Sequence, residues 1–233
     1  MNHLQRLYLE NMGIDVWIRR AISSPMPSIA EVSSGASESR TPQEAVEQMD
    51  WQALRRTVAA CVRCELHKTR TQTVFGVGHL TPQWLIIGEA PGADEDRQGE
   101  PFVGRAGHLL NAMLRAIGLK REEVFITNIL KSRPPNNRDP RPEEIASCAP
   151  FLKRQIQLLK PKIILAVGRI AGQNLLQCTT PIGQMRGKLY SYADTGIPLV
   201  VTYHPAYLLR APREKRKAWQ DLLFAKKVLS DVL

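Results

Sequence analysis

Four short apolar runs alternate with longer stretches of helical periodicity: residues 84–88 (WLIIG), 124–130 (VFITNIL), 162–168 (KIILAVG) and 198–203 (PLVVTY). Runs this short, apolar throughout and bounded by glycine, proline or polar residues, read as strands buried on both faces. Between and around them lie helical patterns. Residues 106–119 carry Leu109, Leu110, Met113, Leu114 and Ile117 on one face and end at Gly118. Residues 142–160, 169–177 and 214–233 read the same way, and residues 41–61 open on Thr41 with Glu44 three positions on, the pattern of an N-terminal capping box. Strands separated by helices imply parallel crossovers and a sheet covered on both faces. The chain is therefore expected to be an α/β protein.

In such sheets ligands bind beyond the carboxyl ends of the strands. Those ends carry Gly88-Glu89-Ala90-Pro91-Gly92, Thr127-Asn128, Val167-Gly168 and Tyr203-His204-Pro205. The first is a stiff turn whose backbone can approach a ligand closely, with Glu89 at the strand exit and the acidic run Asp94-Glu95-Asp96 behind it. A carboxylate there can hold an attacking water or stabilise a developing cation on a sugar. Asn128 has the donors and acceptor to read the edge of a base, although an Asn at a strand end also serves as a turn former. His204 shares the same end of the sheet. The basic loop 131–138 (KSRPPNNR) suits phosphates, and Tyr207-Leu208-Leu209-Arg210 has the make-up of a wedge that opens a base stack, or of an ordinary buried helix.

The 233 residues are 43% apolar and carry a net charge of +10, unevenly spread. Residues 1–50 hold four Lys or Arg against seven Asp or Glu, and the remainder holds 28 against 15. A basic body points to a polyanionic partner, with nucleic acid first. No apolar run approaches the ~18 residues of a membrane span, and the N-terminus lacks the apolar core of a secretory signal. The expectation is a soluble, cytoplasmic monomer with no membrane contact. Four cysteines in such a chain argue for metal or buried thiols rather than disulfides.

Residues 1–20 have an amphipathic pattern (Leu4, Leu7, Tyr8, Met12, Ile14) with Trp17, Arg19 and Arg20, and read as a docking peptide or a frayed end. Seven of the 18 residues from 23 to 40 are serine, so residues 21–40 read as a flexible linker, and the folded body is 41–233. The segment MGIDVWIRR resembles the N-terminal peptide of the psi subunit of bacterial clamp loaders, which implies a replication or repair protein as its partner.

GEAPGADED, PFVGRAG, TNILKSRPPNNRDP and HPAYLLR occur in that order over about residues 55–230. Together they resemble the family 4, iron–sulfur branch of the uracil-DNA glycosylases. The resemblance implies a three-layer α/β/α sandwich with a four-stranded parallel central sheet. It implies excision of uracil from DNA by a monofunctional glycosylase that leaves an abasic site. Carried onto this chain, a flipped uracil stacks on Phe102, Asn128 bonds its O4 and N3 edge, and His204 donates towards O2. Glu89 positions water or offsets charge on the sugar, with Glu95 a second carboxylate of the same loop. Gly88, Ala90 and Asn137 are pocket residues, and Arg133, Arg138, Tyr207, Leu208 and Arg210 face DNA. Two other readings share the fold: a non-catalytic damage-binding module, and a member that bonds covalently to the abasic sugar.

The resemblance also implies a [4Fe–4S] cluster. Cys61 and Cys64 have the C-x-x-C spacing of a shared metal centre, and Cys148 matches the family's fourth ligand. The family's third cysteine is Ser132 here. Three outcomes follow: a cluster on three thiols with Ser132 or a solvent oxygen, recruitment of Cys178, or loss of the cluster. The first is the expectation, and Cys178 reads as a buried small hydrophobe.

Overall fold

The computed structural model describes residues 46–232. The readings of residues 1–20 and 21–40, and of Thr41 as a cap, lie outside the described residues. The helix expected over 41–61 is, where described, interrupted: α1 (Trp51–Ala59) starts afresh at Asp50, whose Oδ1 accepts from the Ala53 N–H at 2.7 Å.

The expected runs form four strands, β2 (Trp84–Gly88), β3 (Phe125–Asn128), β4 (Ile163–Val167) and β6 (Ile197–Thr202). They pair in parallel in the order β3-β2-β4-β6. The sheet among the described residues has six strands rather than four. β1 (Val77–Gly78) adds antiparallel to β3, and β5 (Leu189–Tyr192) adds antiparallel to β6. Both edges escaped the sequence reading because neither is an apolar run: β1 has two residues and β5 alternates exposed and half-buried positions. Further helices are α2 (Ala93–Gln98), α3 (Arg105–Ala116), α4 (Pro142–Leu159), α5 (Arg169–Leu176), α6 (Ile182–Met185), α7 (Pro205–Arg210) and α8 (Lys215–Val232).

Alternate strand residues face opposite layers. Ile86, Ile126, Leu165 and Val200 pack with Leu110 and Leu114 of α3 and Leu222 and Leu229 of α8. Leu85, Ile87, Ile164 and Val201 pack with Leu152 and Ile156 of α4 and Ala171 and Leu175 of α5. Helices thus cover both faces, which is why the strands read as continuous apolar runs. Among the described residues no helix is long and apolar enough to cross a membrane.

This topology positions the site. The chain passes from β2 outward to β3, then returns to the far side of β2 for β4, so strand order reverses between β2 and β4. The register sets Gly88 opposite Asn128 and Val167 opposite Thr202. All four inner strands therefore deliver their following loops to one rim.

Candidate active site

A cavity of about 430 Å3 opens at that rim, lined by Glu89, Ala90, Glu95, Phe102, Asn128, Asn137, Arg138, Asp139, His204, Tyr207 and Arg210 among others. Larger hollows, among them one of about 650 Å3 beside Trp51 and Arg70 and one of about 620 Å3 beside α4, include none of Glu89, Asn128 and His204. Residues as distant in sequence as Glu89 and Arg210 thus meet at one wall.

Asn128 ends β3 and is 1% exposed, and its Oδ1 is buried with no hydrogen-bond partner. An orphaned acceptor of this kind costs about 1–3 kcal/mol unless a ligand satisfies it. Gly88, its registered neighbour, leaves the room it needs: a Cβ on Gly88 would fall 2.4 Å from that oxygen and 2.6 Å from the Phe102 ring. The Phe102 ring lies 5.6 Å from the His204 ring, tilted by 31°.

His204 caps α7. Its Nδ1 accepts from the Ala206 N–H at 3.1 Å, and Pro205 fills the first helical position, where no N–H is missed. With Nδ1 committed as acceptor, the neutral ring carries its proton on Nε2. Burial, reinforced by Arg210, lowers the His204 pKa to about 4, so the ring is neutral at pH 7 and serves as a hydrogen-bond donor. Glu89 moves the other way. Burial and then the Asp139 carboxylate raise it to about 7, with Arg169 opposing. Asp139 itself pairs with Arg169 at 2.5 Å across the rim.

The acidic run after Glu89 has a different role from that expected. It forms α2, and each carboxylate has its own partner. Asp94 pairs with Arg97, and Asp96 is buried, accepting from the Thr71 and Gln72 amides. Glu95, expected to be catalytic, accepts from the backbone N–H of Gly92, Val103 and Gly104 at 3.1, 2.9 and 3.0 Å. A carboxylate that accepts from three amides holds the loop around Phe102.

Other expectations shift too. Lys131, read as part of a phosphate-facing loop, is buried; its Nζ donates to Thr127 Oγ1 at 2.6 Å and to the Asn128 carbonyl at 2.8 Å, and burial lowers its pKa to about 7. Arg138 is held by both oxygens of Glu144, at 2.9 and 2.6 Å, and is the partner of a helix cap rather than a free cation. Arg133 donates to Asn137 Oδ1 at 2.8 Å. Leu208 is 1% exposed and packs with Tyr203 and Ala218, so it is no wedge, whereas Tyr207 and Leu209 are each 37% exposed.

The Cys148 thiol feels both Cys61 and Cys64, so the three sulfurs share one region of the fold. Cys64 and Cys148 pack together with Leu66 and Leu130, whereas Cys61 lies against the group of Val58 and Phe151. Burial raises both the Cys64 and the Cys148 thiols, the latter to about 11. Ser132 is buried, and its Oγ accepts from Arg70 Nη1 at 2.9 Å while Arg70 Nη2 bonds the Cys61 carbonyl at 2.6 Å. Among the described residues no three His, Cys, Asp or Glu side chains converge as a metal-holding group. The residues present do not fit a cluster that takes four protein thiolates. Cys178 is half-buried, with its Sγ 3.8 Å from Met185 Sδ.

Residues that sequence reasoning missed include Asp139 and Arg169 on the rim and Arg70 beside Ser132. Asp139 lies within the motif TNILKSRPPNNRDP, and only its place there could have singled it out.

The Uracil DNA glycosylase superfamily matches residues 75–223 of the chain. A Type-4 uracil-DNA glycosylase of Archaeoglobus fulgidus is 46% identical over 172 residues, 71% of this chain and 86% of that protein. Its namesakes in Pyrobaculum aerophilum and Saccharolobus solfataricus are each 43% identical over 180 residues. They cover 75% and 74% of this chain, and 92% and 83% of their own lengths.

Proposed function

The chain belongs to the uracil-DNA glycosylase superfamily, and on that premise we propose that it excises uracil from DNA in base-excision repair, leaving an abasic site. The observation that carries the pocket assignment is the buried, unpartnered Oδ1 of Asn128 beside the Phe102 ring. Uracil N3–H supplies the donor that this oxygen lacks, and the Asn128 amide N–H donates to O4. Cytosine carries an acceptor at N3 and a donor at C4, so it opposes both bonds.

A base inside a duplex must leave the stack to reach the cavity. Tyr207 and Leu209 on the exposed face of α7, with Arg210 beside them, suit that role, and the basic body draws the phosphate backbone. Once the base stacks on Phe102, water attacks C1′ as the N1–C1′ bond breaks. The bonding electrons leave with the base as a uracil anion. His204 Nε2–H donates to O2, where that charge builds, and its depressed pKa keeps it a neutral donor rather than an acid. Glu89, poised near 7, takes the water's proton and faces the positive charge developing on the sugar.

The test is an oligonucleotide with a single uracil, treated with hot alkali to break the strand at abasic sites. Breaks at uracil with release of the free base support the reading. Tight binding without breaks would replace it with the damage-binding module, and a bond to protein that survives denaturation would replace it with covalent trapping.

A further inference from the structure

Phe102 is one of few non-glycine residues with a positive φ, 54°. Such a conformation costs on the order of 1–3 kcal/mol and persists only where neighbours impose it. Here they do so from both sides. Arg121 Nη2 donates to the Pro101 carbonyl at 2.5 Å, and its Nη1 donates to the Phe102 carbonyl at 3.3 Å. On the following residues, Glu95 Oε1 accepts from the Val103 and Gly104 amides. Four successive residues thus have a backbone polar group tied, carbonyls to a cation and amides to an anion. Asn111 Oδ1 accepts from the same Arg121 Nη1 at 3.1 Å and aims it. Gly107 lets the first turn of α3 press on the loop, since a Cβ there would lie 1.8 Å from the Phe102 carbonyl oxygen.

Arg121 does not line the cavity; its hydrogen bonds go to the loop carbonyls and to Asn111, and it sits on the approach to β3, whose far end carries Asn128. We propose that Arg121 is a positioning residue for excision, holding Phe102 in its left-handed conformation so that the ring floors the pocket opposite Asn128. The inference rests on the reading of Phe102 as the surface on which the flipped base stacks. Arg is required rather than Lys, because a single ammonium cannot span two carbonyls and an amide oxygen in one plane.

A double-mutant cycle tests it under single-turnover conditions, with inhibition by free uracil as a second readout. Arg121→Gln is expected to lower excision about tenfold and to weaken free-uracil inhibition in parallel, as Phe102 escapes its strained conformation. Arg121→Lys is expected to recover only part of the loss. In the Phe102→Ala background, Arg121→Gln is expected to change neither quantity further. An equal tenfold loss in both backgrounds would overturn the proposal, because Arg121 would then act on something other than Phe102. If Phe102→Ala alone leaves excision and uracil inhibition unchanged, the pocket assignment falls first, and the clamp with it. Should Arg121→Gln fail to fold, Asn111→Ala keeps the guanidinium and removes only its guide. A parallel loss of excision and uracil inhibition in that variant supports the clamp, and no change in either overturns it.

Discussion

Gly88 and Asn128 face each other in register across β2 and β3, so close that any side chain on Gly88 would strike the Asn128 amide oxygen and the Phe102 ring. The position tolerates glycine for steric reasons, not for its backbone angles, since Gly88 has no positive φ.

Gly88→Ala is therefore expected to leave the fold intact and cut excision about 100-fold, the cost of displacing a recognition group by about 1 Å. Circular dichroism and single-turnover cleavage check this together. Activity within a few-fold of the unmodified chain would show that the Asn128 geometry is not limiting.

On the proposed mechanism, Glu89 is expected to set the acidic limb of the pH profile. Its carboxyl is raised to about 7, so the base form required for water activation accumulates only as pH rises through 7, and excision should climb over that interval. His204, depressed to about 4, is already neutral throughout it. Glu89→Gln should abolish the limb. The same shift works against stability: the folded state binds a proton that the unfolded state has released, so ionisation costs folding energy from the unfolded value near 4.5 upward. Glu89→Gln should accordingly raise the melting temperature more at pH 8 than at pH 4.5, and an equal effect at both would contradict the assignment.

Two adjacent leucines on α7 should behave oppositely. Leu208→Ala removes a buried side chain and is expected to cost about 2–5 kcal/mol of stability. Leu209→Ala should cost under ~0.5 kcal/mol, yet slow excision from duplex more than from single-stranded DNA, because only the duplex must be opened. Equal slowing on both substrates would remove Leu209 from the wedge role.

Ser132 accepts from Arg70 where a fourth thiolate would be needed. After anaerobic reconstitution, Ser132→Cys should hold more iron and sulfide per chain, with stronger absorbance near 400 nm, than the chain with Ser132. Equal iron content in the two would mean that three thiols suffice.

The parts of this site that the sequence reveals are those in which one residue and its neighbours carry the meaning. Glu89, Asn128 and His204 stand at the ends of apolar runs, and the topology alone brings such ends together. His204-Pro205 even announces its helix, through an acceptor at the cap and proline in the first turn. The parts that stay hidden depend on distant contacts. Arg121 reaches carbonyls 19 and 20 residues away, and Arg70 reaches Ser132 across 62. Nothing local to those arginines distinguishes them from solvated surface. Glu95 stands in the expected loop, but its three amide bonds were hidden, because an acidic run does not say which carboxylate meets an amide. Tyr207-Leu208-Leu209 failed similarly: without the core, no spacing tells which leucine turns inward. The edge strands β1 and β5 carry no burial signal at all.

The most direct test of the account compares two matched oligonucleotides, one with uracil and one with cytosine at the same position, cleaved by the chain and by Asn128→Asp. The unmodified chain should cut at uracil alone, and Asn128→Asp should lose most of that preference, since the donor facing O4 becomes an acceptor. Unchanged selectivity in Asn128→Asp would contradict the assignment of the orphaned amide as the reader of the base.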